Sequence, residues 1–245
     1  MEFQVPLTIS LMVFLAMFVA SLTHSSLGFG TALVAMPLLV LLTEIYTATP
    51  LVALSTIVIE ILILWEDRHL IDLLSAKKFY VGAIFGIAGG LWLLKSVPES
   101  YVKNVLGILL ILFGLYNLIH PRLTVLKSDW WDYYFGVASG LLGGAYNIKG
   151  PPIVLMGTLR QWPMNGFRAS MQLLSLPLAI MILVGHGIGG FWTMTVLELF
   201  LYSLPAVFLG IWLGGKINRN LSPEKYKKYI YVSLVILGFL LVYRA

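Results

Sequence analysis

Cysteine is absent from this chain, and charge is scarce: only 11% of its 245 residues are Asp, Glu, Lys or Arg. Without cysteine there is no disulfide, no thiolate chemistry and no cysteine-ligated metal. Soluble domains carry about 25% charged residues, and no tract here is long and polar enough to fold as one. Four aspartates occur, at 67, 72, 129 and 132, all in loops or at the ends of apolar runs, so no run holds a pair of them. HExxH, GxSxG and Walker patterns are missing too, which leaves an enzyme without support and gives no reason to expect a cofactor or metal. The formal net charge is +5. No stretch combines clustered Lys/Arg with stacking aromatics, so that charge does not point to nucleic acid.

What is present is apolar. Hydrophobic residues make up 59% of the chain, in runs such as Val105–Ile119, Leu173–Val184 and Ile230–Val242. These mark a multi-pass, all-α membrane protein of one domain, 1–245. The run Leu7–Ala20 imitates a signal peptide, but Glu2 is the only charge before it and Ser-Leu-Thr-His is a poor cleavage site, so we expect it to be retained.

The second half echoes the first. Leu91-Trp92-Leu93 returns as Ile211-Trp212-Leu213 at an offset of 120, Gly30 and Gly150 share that offset, and Pro98-Glu99-Ser-Tyr101 returns as Pro223-Glu224-Lys-Tyr226. Shared order and spacing indicate a duplication, with repeat 1 at about 1–122 and repeat 2 at about 128–245. Each repeat begins with a long interrupted stretch, Leu7–Thr43 and Trp130–Arg160. A straight span needs about 20 residues, so each stretch reads as a hairpin, 7–26 with 30–43 and 130–145 with 150–160. The second arms rise only about 21 and 17 Å, too little for a hydrocarbon core of about 30 Å. Ordinary spans are expected at 47–65, 78–94, 101–119, 167–185, 193–215 and 225–243.

Loop charges orient this arrangement. If each hairpin is re-entrant, the repeats are inverted. Loops 66–77, 120–129, 161–166 and 216–224 then share one side, with Arg68, Lys77, Lys78, Arg122, Lys127, Arg160, Arg168, Lys216, Arg219, Lys225, Lys227 and Lys228. The other side keeps Lys95, Lys103 and Arg244. Positive residues collect on the cytoplasmic side, which puts both termini outside the cytoplasm. Counting each interrupted stretch as one crossing would split the two most basic loops.

The breaks carry the chemistry. The first reads His24-Ser-Ser-Leu-Gly28-Phe29-Gly30-Thr31, the second Gly143-Gly-Ala-Tyr146-Asn147-Ile148-Lys149-Gly150-Pro151-Pro152. Paired interruptions in hydrophobic segments point to a transporter's substrate site near the midplane. Helix N-termini starting near Gly30 and Gly150 offer free N–H groups and a positive dipole end, an anion site. Thr31 adds a hydroxyl, Asn147 is a candidate N-cap, the prolines suit a first turn, and Lys149 adds a full charge, which at membrane depth implies function. We therefore expect substrate contacts from Gly28, Phe29, Gly30, Thr31, Tyr146, Asn147, Ile148, Lys149 and Gly150.

Other candidates are weaker. Arg168, Gln172 and Ser175 share one helix face at i, i+4, i+7, and the first two are candidate substrate ligands lining a cytoplasmic path. Glu60 lies within a span and either carries protons, pairs with a basic residue, or snorkels beside Trp65. His24 is a second proton-coupling candidate, balanced against capping or packing. Glu198 is expected at the interface, and Trp65, Trp92, Trp130, Trp131, Trp162 and Trp192 form an aromatic belt.

Ser26-Leu-Gly-Phe-Gly-Thr-Ala-Leu-Val-Ala-Met-Pro37 resembles the glycine-rich signature near the start of TauE/SafE-type sulfite exporters. Gly136-Val-Ala-Ser-Gly-Leu-Leu-Gly-Gly144 with Asn147-Ile-Lys-Gly-Pro-Pro152 is similar to that family's second copy, departing from its triple glycine. The resemblance implies export of sulfite, organosulfonates or a related sulfur-containing or carboxylate anion. The expected activity is thus a secondary transporter, most simply an exporter, in the inner membrane. The alternatives are an anion channel, an importer, or a non-transporting membrane subunit. Expected partners are the small anion and the lipid bilayer, with a homodimer left open.

Overall fold

The computed structural model describes residues 6–66, 76–119, 126, 128–162, 164–220 and 223–244. Among them are ten helices: α1 Leu7–Leu27, α2 Thr31–Val40, α3 Ile45–Glu66, α4 Lys77–Ser96, α5 Glu99–Ile119, α6 Trp131–Tyr146, α7 Gly150–Leu159, α8 Met164–Ile188, α9 Met194–Asn220 and α10 Pro223–Arg244. Six carry a stretch long and apolar enough to cross a membrane. Their outward side chains are apolar as well, including Leu15, Phe85, Leu112, Leu201 and Phe208. Such a surface would aggregate in water and is satisfied by lipid. The protein is an all-α, multi-pass membrane protein.

Both breaks form where the sequence places them, and the backbone gives the reason. α1 ends at Gly28 with φ 83°, and Gly30 precedes α2 with φ 110°. Both lie in the left-handed region that side chains with a Cβ disfavour. α6 ends at Asn147, φ 56°, a conformation that Asn tolerates better than most residues. α2 is shorter than expected, stopping at Val40 instead of 43: the Leu42 amide takes a tighter i→i−3 bond to the Leu39 carbonyl, and the Thr43 amide and hydroxyl both donate to that same oxygen. At ten residues each, α2 and α7 rise about 15 Å and cannot span the bilayer.

Close pairs of helices hold the molecule together. α4 and α6 run parallel in near-backbone contact. A Cβ on Gly82, Gly86 or Gly90 would fall 2.2, 2.2 or 2.4 Å from the carbonyl oxygens of Tyr133, Val137 and Leu141. Gly136, Gly140 and Gly144 meet the oxygens of Phe79, Ala83 and Ile87 in return. Small residues every fourth position allow this approach, which lipid-embedded helices use in place of a hydrophobic drive. α1 runs parallel to α9 on the same principle: Gly210 abuts Ser21, Gly214 abuts Leu22, and the Ser25 hydroxyl donates to the Ile211 carbonyl at 2.9 Å. α5 lies antiparallel to α10, with Gly107 against Gly238 and Gly114 against Tyr231 and Val235. α3 and α8 pack on each other, bordered by α9 and α4.

The ends of α4 mark two levels. Near its start, Arg160 pairs with Asp132 at 2.7 Å and with Asp129 at 3.6 Å, and Lys78 reaches Asp129 at 3.4 Å. The Leu126 amide donates to the Leu159 carbonyl at 3.0 Å. The end of α7 therefore returns to the start of α6. Beyond the other end of α4, Glu99 accepts from the Ile45 amide and pairs with Lys103, both at 2.9 Å. Tyr46 stacks on Phe191, centroids 6.4 Å apart.

Candidate functional site

α3 and α8 bring their few polar side chains to the tips of the two breaks. On α3, Thr56 and Glu60 are i and i+4, hence on one face, as are Gln172 and Ser175 at i and i+3 on α8. These four side chains are buried, as are His24, Thr31, Asn147 and Lys149. Between them lies a cavity of about 20 Å³ lined by His24, Phe29, Gly30, Thr31, Thr56, Glu60, Asn147, Ile148, Lys149, Gly150 and Ser175, among others. The tips touch: a Cβ on Gly150 would lie 3.6 Å from the Phe29 ring.

Two hydrogen-bonded groups surround the cavity. Around the first break, His24 Nδ1 meets the Thr31 hydroxyl, so the end of α1 is tied to the first turn of α2. The Gln172 amide nitrogen lies 3.2 Å from the Gly28 carbonyl, to which it donates, and 3.4 Å from His24 Nε2. Around the second, Lys149 Nζ lies 3.2 Å from Glu60 Oε1, the Ser175 hydroxyl donates to that same oxygen, and the Asn147 amide donates to the Thr56 hydroxyl at 3.1 Å. Glu60 Oε2, Asn147 Oδ1 and Gln172 Oε1 are buried and have no hydrogen-bond partner among the described residues. Buried polar atoms are normally partnered, so three such atoms around one cavity suit a site that binds something polar.

Of the sequence-derived candidates, Gly30, Thr31, Phe29, Asn147, Ile148, Lys149 and Gly150 line the cavity, with Glu60 and His24. Gly28 and Gln172 contribute one layer behind, through their mutual hydrogen bond. Tyr146 is buried but does not line the cavity. The side chain of Arg168 lies outside the described residues, as does that of Trp65. Asn147 is the C-cap of α6; the N-cap of α7 is Lys149, and no side chain caps that helix. Asn147 is thus spent on the turn and on Thr56. Of the three roles considered for Glu60, snorkelling is excluded by its burial and pairing with a basic residue is realised. Thr56 escaped the sequence reading, though its i, i+4 spacing from Glu60 was a usable signal.

Trp92, Trp130, Trp131 and Trp192 are exposed near helix ends, whereas Trp162 is partly buried against Phe167. Glu198 is half-buried. Among the described residues no three His, Asp or Glu side chains converge to hold a metal ion.

What the arrangement can do follows from its parts. Two helix N-termini and one ammonium group face a small desolvated space, which favours negative charge. One carboxylate already occupies the ammonium group.

Comparison with known proteins agrees with the geometry. The family model described as "Sulfite exporter TauE/SafE" matches residues 13–241. The chain is 26% identical over 161 residues to a "Probable inner membrane transporter protein TsaS" from Comamonas testosteroni. The match covers 64% of this chain and 66% of that relative, just under two thirds of its length. No solved structure matches. A glycine-rich break recurring in each half of an apolar chain, and a family match running through both of them, lead to one conclusion: the chain belongs to the TauE/SafE sulfite exporter family of membrane transporters.

Proposed function

We propose that this protein is a secondary transporter that exports a small anion of the sulfite or organosulfonate class across the inner membrane. The observation that carries the reading is Lys149, a cation buried at the N-terminus of α7 in a cavity that the first turn of α2 also lines. Family membership and the transporter name of the relative support the activity.

The size of the site supports alternating access. A volume of about 20 Å³ holds roughly one water molecule, so a polyatomic anion enters only when the tips part. The motion we propose is a rocking of two inverted repeats about the cavity. Exchanging α1–α5 with α6–α10 turns the α1–α9 pair into α6–α4, maps α3–α8 and α5–α10 onto themselves, and so reproduces the packing. α1 is parallel to α9 and α6 parallel to α4, and α4 and α9 start at opposite ends, which supports hairpins entering from opposite faces. An anion crossing alone would be driven outward by an interior-negative potential, with about 2.3 kcal/mol per charge per 100 mV, and neither that route nor movement down the anion's own gradient calls for a nucleotide.

The test is flux in proteoliposomes with sulfite, thiosulfate, methanesulfonate and short carboxylates, for the natural chain and Lys149→Ala. Saturable uptake that is stimulated by the same anion on the far side, and lost in the variant, is expected. Flux without such exchange would make the protein a channel, and unchanged flux in a folded Lys149→Ala protein would remove the site.

A further inference from the structure

We infer that Glu60 and the transported anion compete for Lys149, so that each monoanion crosses together with one proton held on Glu60. The inference rests on the anion-transport reading above and adds its coupling ion; the proton cancels the monoanion's charge, so the gradients of anion and proton, and not the membrane potential, set the direction.

The cavity holds one ammonium group and one carboxylate, 3.2 Å apart, with 4% and 1% of their side chains exposed. Their charges cancel, so an arriving anion meets a neutral pair. With the tips closed the space left over admits about one water molecule, so an anion held in the closed site does not fit beside the intact pair. It must take the place of the carboxylate at Nζ. Two negative groups would then share one cation in a desolvated space, which strongly disfavours both being ionised. A proton on Glu60 removes the conflict, and release of the anion and the proton restores the pair.

The hydrogen bonds show which oxygen receives that proton. Oε1 accepts from both Ser175 and Lys149, while Oε2 is buried with no partner. A protonated carboxyl gains an O–H donor, and the amide oxygen of Asn147, a residue that lines the same cavity, is an acceptor with no partner among the described residues.

Other groups facing Glu60 do not offer the same exchange. From α8 comes the Ser175 hydroxyl, from α2 the Thr31 hydroxyl, from α1 His24, and from the second break Lys149; no α9 side chain lines the cavity. His24 has Nδ1 on Thr31 and Nε2 near the Gln172 amide. Its ring is therefore tied to the first break, whereas among the described residues Glu60 is the one that pairs with the cation.

Methanesulfonate is the probe, because a sulfonate stays monoanionic and any proton moved belongs to the protein. The purified chain is reconstituted into vesicles containing a pH-sensitive dye, and proton and anion movements are read together. One proton per anion is expected, with a net flux that an imposed potassium-diffusion potential does not change. In Glu60→Gln the proton-to-anion ratio should fall to zero and any remaining net flux should follow the potential. Should that variant fail to fold, calorimetry of methanesulfonate binding to the natural chain, in two buffers of different ionisation enthalpy, gives the protons taken up on binding; one is expected. Anion flux without proton movement, binding without proton uptake, or coupling that survives in Glu60→Gln would each overturn the inference and leave the transport reading standing. Absence of both methanesulfonate and sulfite flux in the natural chain would instead bring down the transport reading, and the inference with it.

Discussion

Lys149 Nζ and Glu60 Oε1 lie 3.2 Å apart at the centre of the protein, joining the tip of one hairpin to a helix of the other half. Breaking such a pair by removing one partner typically costs about 3–5 kcal/mol, because the other charge is left buried, whereas replacing both is often neutral. Lys149→Met should therefore destabilise the protein strongly, and adding Glu60→Gln should recover most of the loss. Thermal unfolding in detergent of the two single variants and the double variant measures this. Additive losses would mean that the two side chains are not coupled.

Asn147 separates a backbone role from a side-chain role. Its φ of 56° costs an ordinary L residue about 1–2 kcal/mol, and its amide also bonds Thr56. Asn147→Ala should lower stability by about that strain plus about 1 kcal/mol for the hydrogen bond. Asn147→Gly keeps the turn and should lose less. If the side chain also contacts the anion, both variants bind it more weakly, and equilibrium binding alongside unfolding distinguishes the two contributions.

Glycine at the α4–α6 contact has no substitute. A Cβ on Gly86 would sit 2.2 Å from the Val137 carbonyl, and overpacking of this kind costs about 1–3 kcal/mol or more. On α9, Gly215 has only Ser25 Oγ near, at 3.9 Å, so Gly215→Ala should be tolerated and can gain up to about 1 kcal/mol of helix propensity. Gly86→Ala should melt well below the natural chain and Gly215→Ala at or above it. The reverse order would contradict the parallel packing of α4 on α6.

The natural chain is already free of cysteine, which makes single-cysteine labelling direct. Ser128→Cys and Gln161→Cys lie beside the Arg160–Asp129 contact. Ser100→Cys and Thr193→Cys lie near Glu99 and Phe191, at the other level. An impermeant thiol reagent should reach the first two from the cytoplasm and the last two from outside. Ser128→Cys and Gln161→Cys reacting from opposite sides would make α6–α7 a full crossing.

Much of the helix pattern was legible in the sequence because its causes are local. Gly28 and Gly30 allow the positive φ at which a helix stops, and Pro151-Pro152 suit a first turn. The tyrosine before Asn147 shows where local reasoning stops: Tyr146 stands next to the break and is buried, yet it is not among the residues that line the cavity. Asn147 looked like an N-cap for α7 because its residue type suits one, but the chain uses it in the left-handed turn that ends α6. Thr56 stands at i, i+4 from Glu60, which the sequence does record, but its role follows only from its hydrogen bond to Asn147 in the folded chain.

The sequence by itself determined that this chain lives in a membrane, where its helices break, and that each break offers a helix N-terminus with a lysine at the second. Those outcomes depend on hydropathy, backbone dihedrals and composition, all of which act within a few residues. The tertiary structure decided which side chains meet at the breaks. Only the packing of α3 on α8 between the two tips sets Glu60 against Lys149 and Ser175, and His24 against Thr31 and Gln172. A buried charge must find its partner through space, and no spacing along one chain records that partner.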